Sequence, residues 1–208
     1  MPLNLRYFAD PLCSWCYGFG PELAKLVAAR TDLRISLVMG GLRPYNRERM
    51  SAAFRDMLRQ HWSHVSTASG LPFSQAILDR EDFIYDTEPA CRAVVTARQL
   101  FPAQAMPMLK SIQAAFYRDG RDATDPAVLA DIAAENGYDR DTFLAAMESE
   151  SMRLATRADF TATQSLGVSG FPTVAASRGE ELYLVTSGYV THDVLEYRLV
   201  EIERLTLQ

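Results

Sequence analysis

The sequence predicts an α/β fold, a mixed central sheet flanked by helices and split by a large all-helical insertion. Three observations predict it. Residues 1–40 read as strand, helix, strand. Residues 41–154 read as one helix after another. The remainder returns to short strands and closes on a helix.

Leu3–Phe8, "LNLRYF", alternates apolar and polar residues and stops at Asp10-Pro11, the pattern of a half-buried strand. Cys13 to about Arg30 carries Leu23, Leu26 and Val27 at helical spacing, with Pro21 expected to kink this helix or mark its start. Leu33–Met39, "LRISLVM", is a second strand, and the short crossover makes the pair parallel. Gly40-Gly41 breaks the pattern. Asn46 is expected to cap a helix reaching about Ser66, and Gly70-Leu71-Pro72 to form a loop. Thr87, with Pro89 in the first turn, opens a helix through Leu100, and Ala103–Tyr117 gives a third. Thr124 or Asp125 before Pro126 starts a fourth, ended by Asn136-Gly137. Asp139 caps a fifth, and residues 151–166 form a sixth, closed by Gly167. Thr173–Ala176 and Leu182–Thr186 pair as a hairpin about Arg178-Gly179. Thr191 to about Leu205 is the closing helix, with Val194, Leu195, Leu199 and Ile202 on one face. A β-α-β unit followed by β-β-α on one mixed sheet is the thioredoxin fold. Residues 1–40 and 155–208 are expected to build it, with 41–154 as the helical insertion domain.

Composition limits the functions open to such a domain. Hydrophobic residues make up 48% of the chain, enough for a packed core, and the formal net charge is −5. That charge gives no general attraction to nucleic acid or to anionic membranes. No stretch approaches the ~20 apolar residues of a membrane span. The opening "MPLNLRYFADPLC" lacks the basic then apolar regions of a signal peptide, so a cytoplasmic location is expected. Structural disulfides are rare there. The charge is uneven, however: residues 1–70 hold nine Lys/Arg against five Asp/Glu. Arg43, Arg47, Arg49, Arg55 and Arg59 cluster within that part. They read either as a solvated helix face or as a small anion site for a carboxylate-bearing thiol substrate.

Cys13 and Cys16 form a C-x-x-C at the first strand-to-helix turn. At such a turn the first sulfur is expected to be exposed, where unpaired backbone N–H groups and the helix dipole stabilise a thiolate. The second lies one turn along, partly buried and within disulfide reach. This makes Cys13 a nucleophile and Cys16 a resolving thiol. Ser14 and Trp15 place no cation between them, which favours a reducing or isomerising poise over strong oxidation. Zinc is the rival reading, with His61 and His64 as further ligands, but no second C-x-x-C exists. Two inert core cysteines are a third. Cys91, in an alanine-rich helix, reads as a small buried apolar residue.

These features together resemble the DsbA-like branch of the thioredoxin superfamily, specifically its cytoplasmic, FrnE-related dithiol oxidoreductases and disulfide isomerases. "DPLCSWCYGF" is similar to the family's active-site segment, and Pro21 to the proline of its active-site helix. "GVSGFPT", Gly167–Thr173, resembles its cis-proline loop, and "FYRDGRDATDPAVLADIAAENG" its late insertion helices. The resemblance implies that Cys13 attacks and Cys16 resolves. It implies a cis Pro172 facing the pair, and a Phe171 whose backbone pairs with an extended substrate. Trp15 and Leu42 would add an apolar rim, and Asp10 would cap the turn or relay protons. Ser14 and Trp15 stand between the cysteines, and the family's periplasmic members often carry a histidine inside that motif. No metal or organic cofactor is expected. The implied partners are protein or small-molecule disulfides and thiols, glutathione included. A sister group, the kappa-class glutathione transferases and hydroxychromene-carboxylate isomerases, shares the fold but uses a serine where this chain has Cys13. A glutathione-dependent transferase or isomerase, and a peptide-binding adaptor without catalysis, are the alternatives.

Overall fold

The computed structural model describes residues 3–179 and 181–206. Four strands among them form one mixed sheet: β1 (Asn4–Ala9), β2 (Arg34–Met39), β3 (Thr173–Arg178) and β4 (Glu181–Ser187), in the order β2-β1-β3-β4. β1 and β2 are parallel, with Tyr7 opposite Leu37. β3 runs antiparallel to β1 and to β4. β3 is almost wholly buried and β1 is buried from Tyr7 onward, as strands covered on both faces must be. α1 (Ser14–Ala29) makes the crossover, and α8 (His192–Thr206) packs beside it and against β3 and β4. Arg30, just past α1, ties the two helices through Glu196 at 3.2 Å and Glu203 at 2.5 Å.

The remaining helices lie between β2 and β3 in sequence: α2 (Ala52–Ser69), α3 (Glu88–Leu100), α4 (Ala105–Gln113), α5 (Pro126–Glu135), α6 (Arg140–Met147) and α7 (Glu150–Ser165). α7 and α3 close on β2. Asp159 accepts the Met39 backbone N–H at 2.8 Å, and Arg98 bonds both the Leu37 carbonyl, at 2.6 Å, and the Asp159 carboxylate. The end of β2 is therefore held from two helices at once, directly before the loop that enters the site.

Several elements differ from the sequence reading. The helix expected from Asn46 begins at Ala52, because Ser51 accepts the Phe54 N–H as its cap. Asn46 instead closes a local turn with Glu48, so residues 43–50 are irregular. Pro21 lies within α1 and does not start it. The helix expected over Ala103–Tyr117 is three pieces: a 3₁₀ turn at Pro102–Gln104, α4, and a π-helical turn at Ala114–Arg118. That wider turn packs Phe116 and Tyr117 into the aromatic group around Trp62. The hairpin expected about Arg178-Gly179 forms, with Arg178 paired to Glu181 and Gly179 at positive φ; positions 1–2, 180 and 207–208 of the expected domain bounds lie outside the described residues. No helix is long and apolar enough to cross a membrane among the described residues.

Candidate active site

β1 ends at Ala9, and the chain must turn before α1 can start. Asp10 makes the turn: Oδ1 accepts the Leu12 N–H at 2.8 Å, and the Asp10 carbonyl accepts the Cys13 N–H at 3.1 Å. Asp10 is fully buried. Its other oxygen accepts the Leu42 N–H at 2.6 Å and the Cys91 thiol at 3.4 Å. One carboxylate thus joins the β1–α1 turn, the segment after β2 and the start of α3. Burial pushes the Asp10 pKa up, against the opposing effect of these hydrogen bonds. Cys91 is buried, as its sequence context suggests, but it is a hydrogen-bonded member of this junction.

Cys13 is the N-cap of α1, in extended conformation, and its side chain makes no capping bond. Cys16 follows one turn later and is completely buried. Both are free thiols, and so is Cys91. Cys13 was expected to be exposed, yet only 6% of it is accessible. The cover comes from the other end of the chain: Phe171 approaches, and the Cys13 thiol donates to its carbonyl at 3.4 Å. The Phe171–Pro172 peptide bond is cis. This loop is fixed to β4 by the Gly188 N–H bonded to the Pro172 carbonyl at 2.7 Å. Burial first, then the hydrogen bond and charge of Cys13, push the Cys16 thiol well above the ordinary range. Cys13 is thus the less buried of the two cysteines and Cys16 the fully buried one behind it.

Trp15 is half-buried, with its ring edge-on to His61 at 6.0 Å and beside Tyr189 at 5.5 Å. Ser14 is buried. Together with Cys13, Phe171, Leu42 and Arg43, Trp15 and Ser14 line a groove of about 430 Å³. His61 also lines it, and burial together with the His64 charge lowers its pKa. Among the described residues no three His, Cys, Asp or Glu side chains converge as a metal site.

Three neighbours carry no clear signal in the sequence. Tyr7, in mid-strand, is buried. Burial first, then the charges of Cys16 and Cys13, push its phenol up. Tyr85 donates to the Leu12 carbonyl in the turn before Cys13. Gly40 is the third. A Cβ there would lie 2.0 Å from Cζ of Phe171, so only glycine leaves room for that ring. The paired glycines show a break in the sequence, but nothing in it names Phe171 as the reason. Gly40→Ala should therefore lower stability by ~1–3 kcal/mol, the scale of overpacking, and slow disulfide reduction by shifting the loop over Cys13. Urea unfolding and a turnover assay check both. Combining it with Phe171→Leu should recover part of the stability, since the two sites contact directly.

A model of the DSBA-like thioredoxin domain matches residues 4–200. The chain belongs to that family. Among solved DSBA-like structures, a Nitrosomonas europaea protein provisionally assigned as a protein disulfide isomerase is 32% identical. It superposes with a TM-score of 0.91 over 99% of both chains. DsbM of Pseudomonas aeruginosa, a cytosolic disulfide reductase, is 28% identical, with a TM-score of 0.79 over 99% of this chain and 100% of its own. A second DsbM structure was determined with GSH. The ClpXP adapter protein SpxH of Bacillus subtilis is 25% identical over 206 residues, covering 96% of this DSBA-like chain and 67% of SpxH.

Proposed function

We propose that the chain is a thiol–disulfide oxidoreductase working in the reducing or isomerising direction in the cytosol. One observation carries this reading: Cys13 at the N-cap position of α1, its thiol hydrogen-bonded to the Phe171 carbonyl, with a buried free Cys16 one turn behind it. The Cys13 thiolate attacks one sulfur of a substrate disulfide. The substrate S–S bond breaks, and the departing thiolate takes a proton. Cys16 then loses its proton and attacks Cys13 in the mixed disulfide, expelling the second substrate thiol. Two electrons and two protons pass to the substrate, and the protein is left as a Cys13–Cys16 disulfide. An external dithiol, or two equivalents of a monothiol such as glutathione, restores it. Phe171 and Pro172 present the substrate, Trp15 and Leu42 shape the rim, and Asp10 holds the turn. No metal or organic cofactor takes part, because the sulfurs carry the electrons. The 28% likeness to a cytosolic disulfide reductase supports the direction and the location. Substrates are disulfides and thiols of proteins or small molecules, not nucleic acid or membrane.

Insulin reduction by dithiothreitol should be accelerated by the wild-type protein, and Cys16→Ser should accumulate mixed disulfides whose partners name the substrates. A potential in glutathione buffer far above that buffer's own poise would reverse the assigned direction. The likeness to SpxH favours a second reading, an adaptor that holds a client protein. An adaptor would bind its client equally well with Cys13 and Cys16 both changed to serine, whereas the oxidoreductase would lose all turnover.

A further inference from the structure

We propose that the groove beside Cys13 selects low-molecular-weight disulfides bearing a carboxylate near the attacked sulfur, and that Arg43 holds that carboxylate. The inference deepens the reading above and rests on it. Of the five clustered arginines only Arg43 lines the groove. Arg59 pairs with Asp56 and Asp79, Arg55 donates to the Met50 carbonyl, and Arg47 and Arg49 are exposed outside it. The Arg43 backbone is fixed: its N–H donates to Thr87 Oγ1 at 3.1 Å, and its carbonyl accepts the Thr87 N–H at 3.2 Å. Its guanidinium lies over the Phe54 ring, with Cζ 4.6 Å from the centroid. Nε is buried without a partner, and no carboxylate pairs with the group among the described residues. Trp62 lines the same groove, and its buried indole N–H has no acceptor either.

Two side chains that line the groove of the attacking sulfur therefore each carry a buried donor without an acceptor. Buried polar groups are nearly always paired, so orphaned donors in the walls of a ligand-sized groove point to an acceptor on the ligand. The acid closest in sequence to the site, Asp10, does not compete, because its oxygens already accept Leu12, Leu42 and Cys91. A planar guanidinium fixed by ring stacking is suited to bind a carboxylate through two parallel bonds. The volume of about 430 Å³ fits a small molecule.

The test is a single-turnover reaction of pre-reduced protein at low salt with 3,3′-dithiodipropionate, hydroxyethyl disulfide and cystamine. Each rate is divided by that of a free monothiol with the same disulfide. A bare thiolate repels the dianion, so a normalised preference for it must come from the protein. The dianion should be favoured about tenfold over the neutral disulfide, the scale of one charge-assisted hydrogen bond. Arg43→Gln should collapse that ratio, and Arg121→Gln, which removes a cation that does not line the groove and pairs with Glu135, should keep it. A second arm reads binding alone. Both tryptophans of the chain, Trp15 and Trp62, line the groove. Their fluorescence in the Cys13→Ser/Cys16→Ser protein should titrate with dithiodipropionate, about tenfold more weakly once Arg43→Gln is added. Reduction with no charge preference, or with a preference that survives Arg43→Gln, overturns the inference and leaves the oxidoreductase reading standing. Arg43-dependent binding with no reduction of any disulfide keeps the anion site and removes that reading.

Discussion

Cys13→Ser should bring disulfide reduction down to the uncatalysed background, a loss of roughly three orders of magnitude or more, as when an enzyme loses its nucleophile. Cys16→Ser should behave differently. The first attack belongs to Cys13, the residue at the N-cap position of α1 on the wall of the groove, so one substrate thiol should still be released at close to the wild-type rate. The second should not, and the protein should remain as a mixed disulfide. A rapid-quench experiment that counts thiols released per protein distinguishes the two: none for Cys13→Ser, one for Cys16→Ser, two for wild type. If Cys16→Ser released none, the order of the two sulfurs would be wrong. The wild-type second step should also depend on pH. Burial raises the Cys16 pKa first of all, and that cause persists when Cys13 is tied up in the mixed disulfide, although the Cys13 charge is then gone. Resolution needs the Cys16 thiolate, so its rate should rise up to about tenfold per pH unit through the neutral and mildly alkaline range.

The parts of this molecule that were legible in the sequence are those governed by local rules. Strand alternation gave β1 and β2, and Pro126 and Asn136 framed α5. The C-x-x-C at the first turn and the Gly170-Phe171-Pro172 segment pointed to the two sides of the site. What escaped depends on contacts between distant residues. Ser51 displaced Asn46 as the cap of α2 because Asn46 found a closer partner in its own turn with Glu48. Cys13 read as exposed because nothing near it in sequence covers it; its cover, Phe171, comes from the other end of the chain. Tyr7 looks like any core residue of a strand, and nothing near it in sequence ties its phenol to the two cysteines whose charges act on it. Arg43 was visible as one of a cluster, but its separation from the other four rests on Phe54 and on the wall of the groove.

Arg92→Met should destabilise the fold more than Gly40→Ala, by about 3–5 kcal/mol. Arg92 is 3% exposed on α3, and its Nε bonds Glu88, itself 5% exposed, at 2.9 Å. One terminal nitrogen reaches both the Glu148 carboxylate and the Met147 carbonyl at 2.7 Å, closing the end of α6. Methionine fills much of the same volume, so the loss should come from charge, not from a cavity. It leaves the Glu88 carboxylate buried without its cation and the Met147 carbonyl without its donor. By contrast Arg140→Met, which removes partly exposed ion pairs to Asp131 and Asp141, should cost about 0–1 kcal/mol. Urea unfolding midpoints compare the two. The double variant Arg92→Met/Glu88→Gln separates the cause: neutralising Glu88 should restore a good part of the loss if the stranded charge dominates. If it restores nothing, the loss lies in the α3–α6 tie. The outcome bears on the site as well, since α3 begins at Glu88, and its start carries the Thr87 and Cys91 groups that hold Arg43 and Asp10. Loosening that start should therefore reduce disulfide turnover in the fraction of Arg92→Met protein that remains folded.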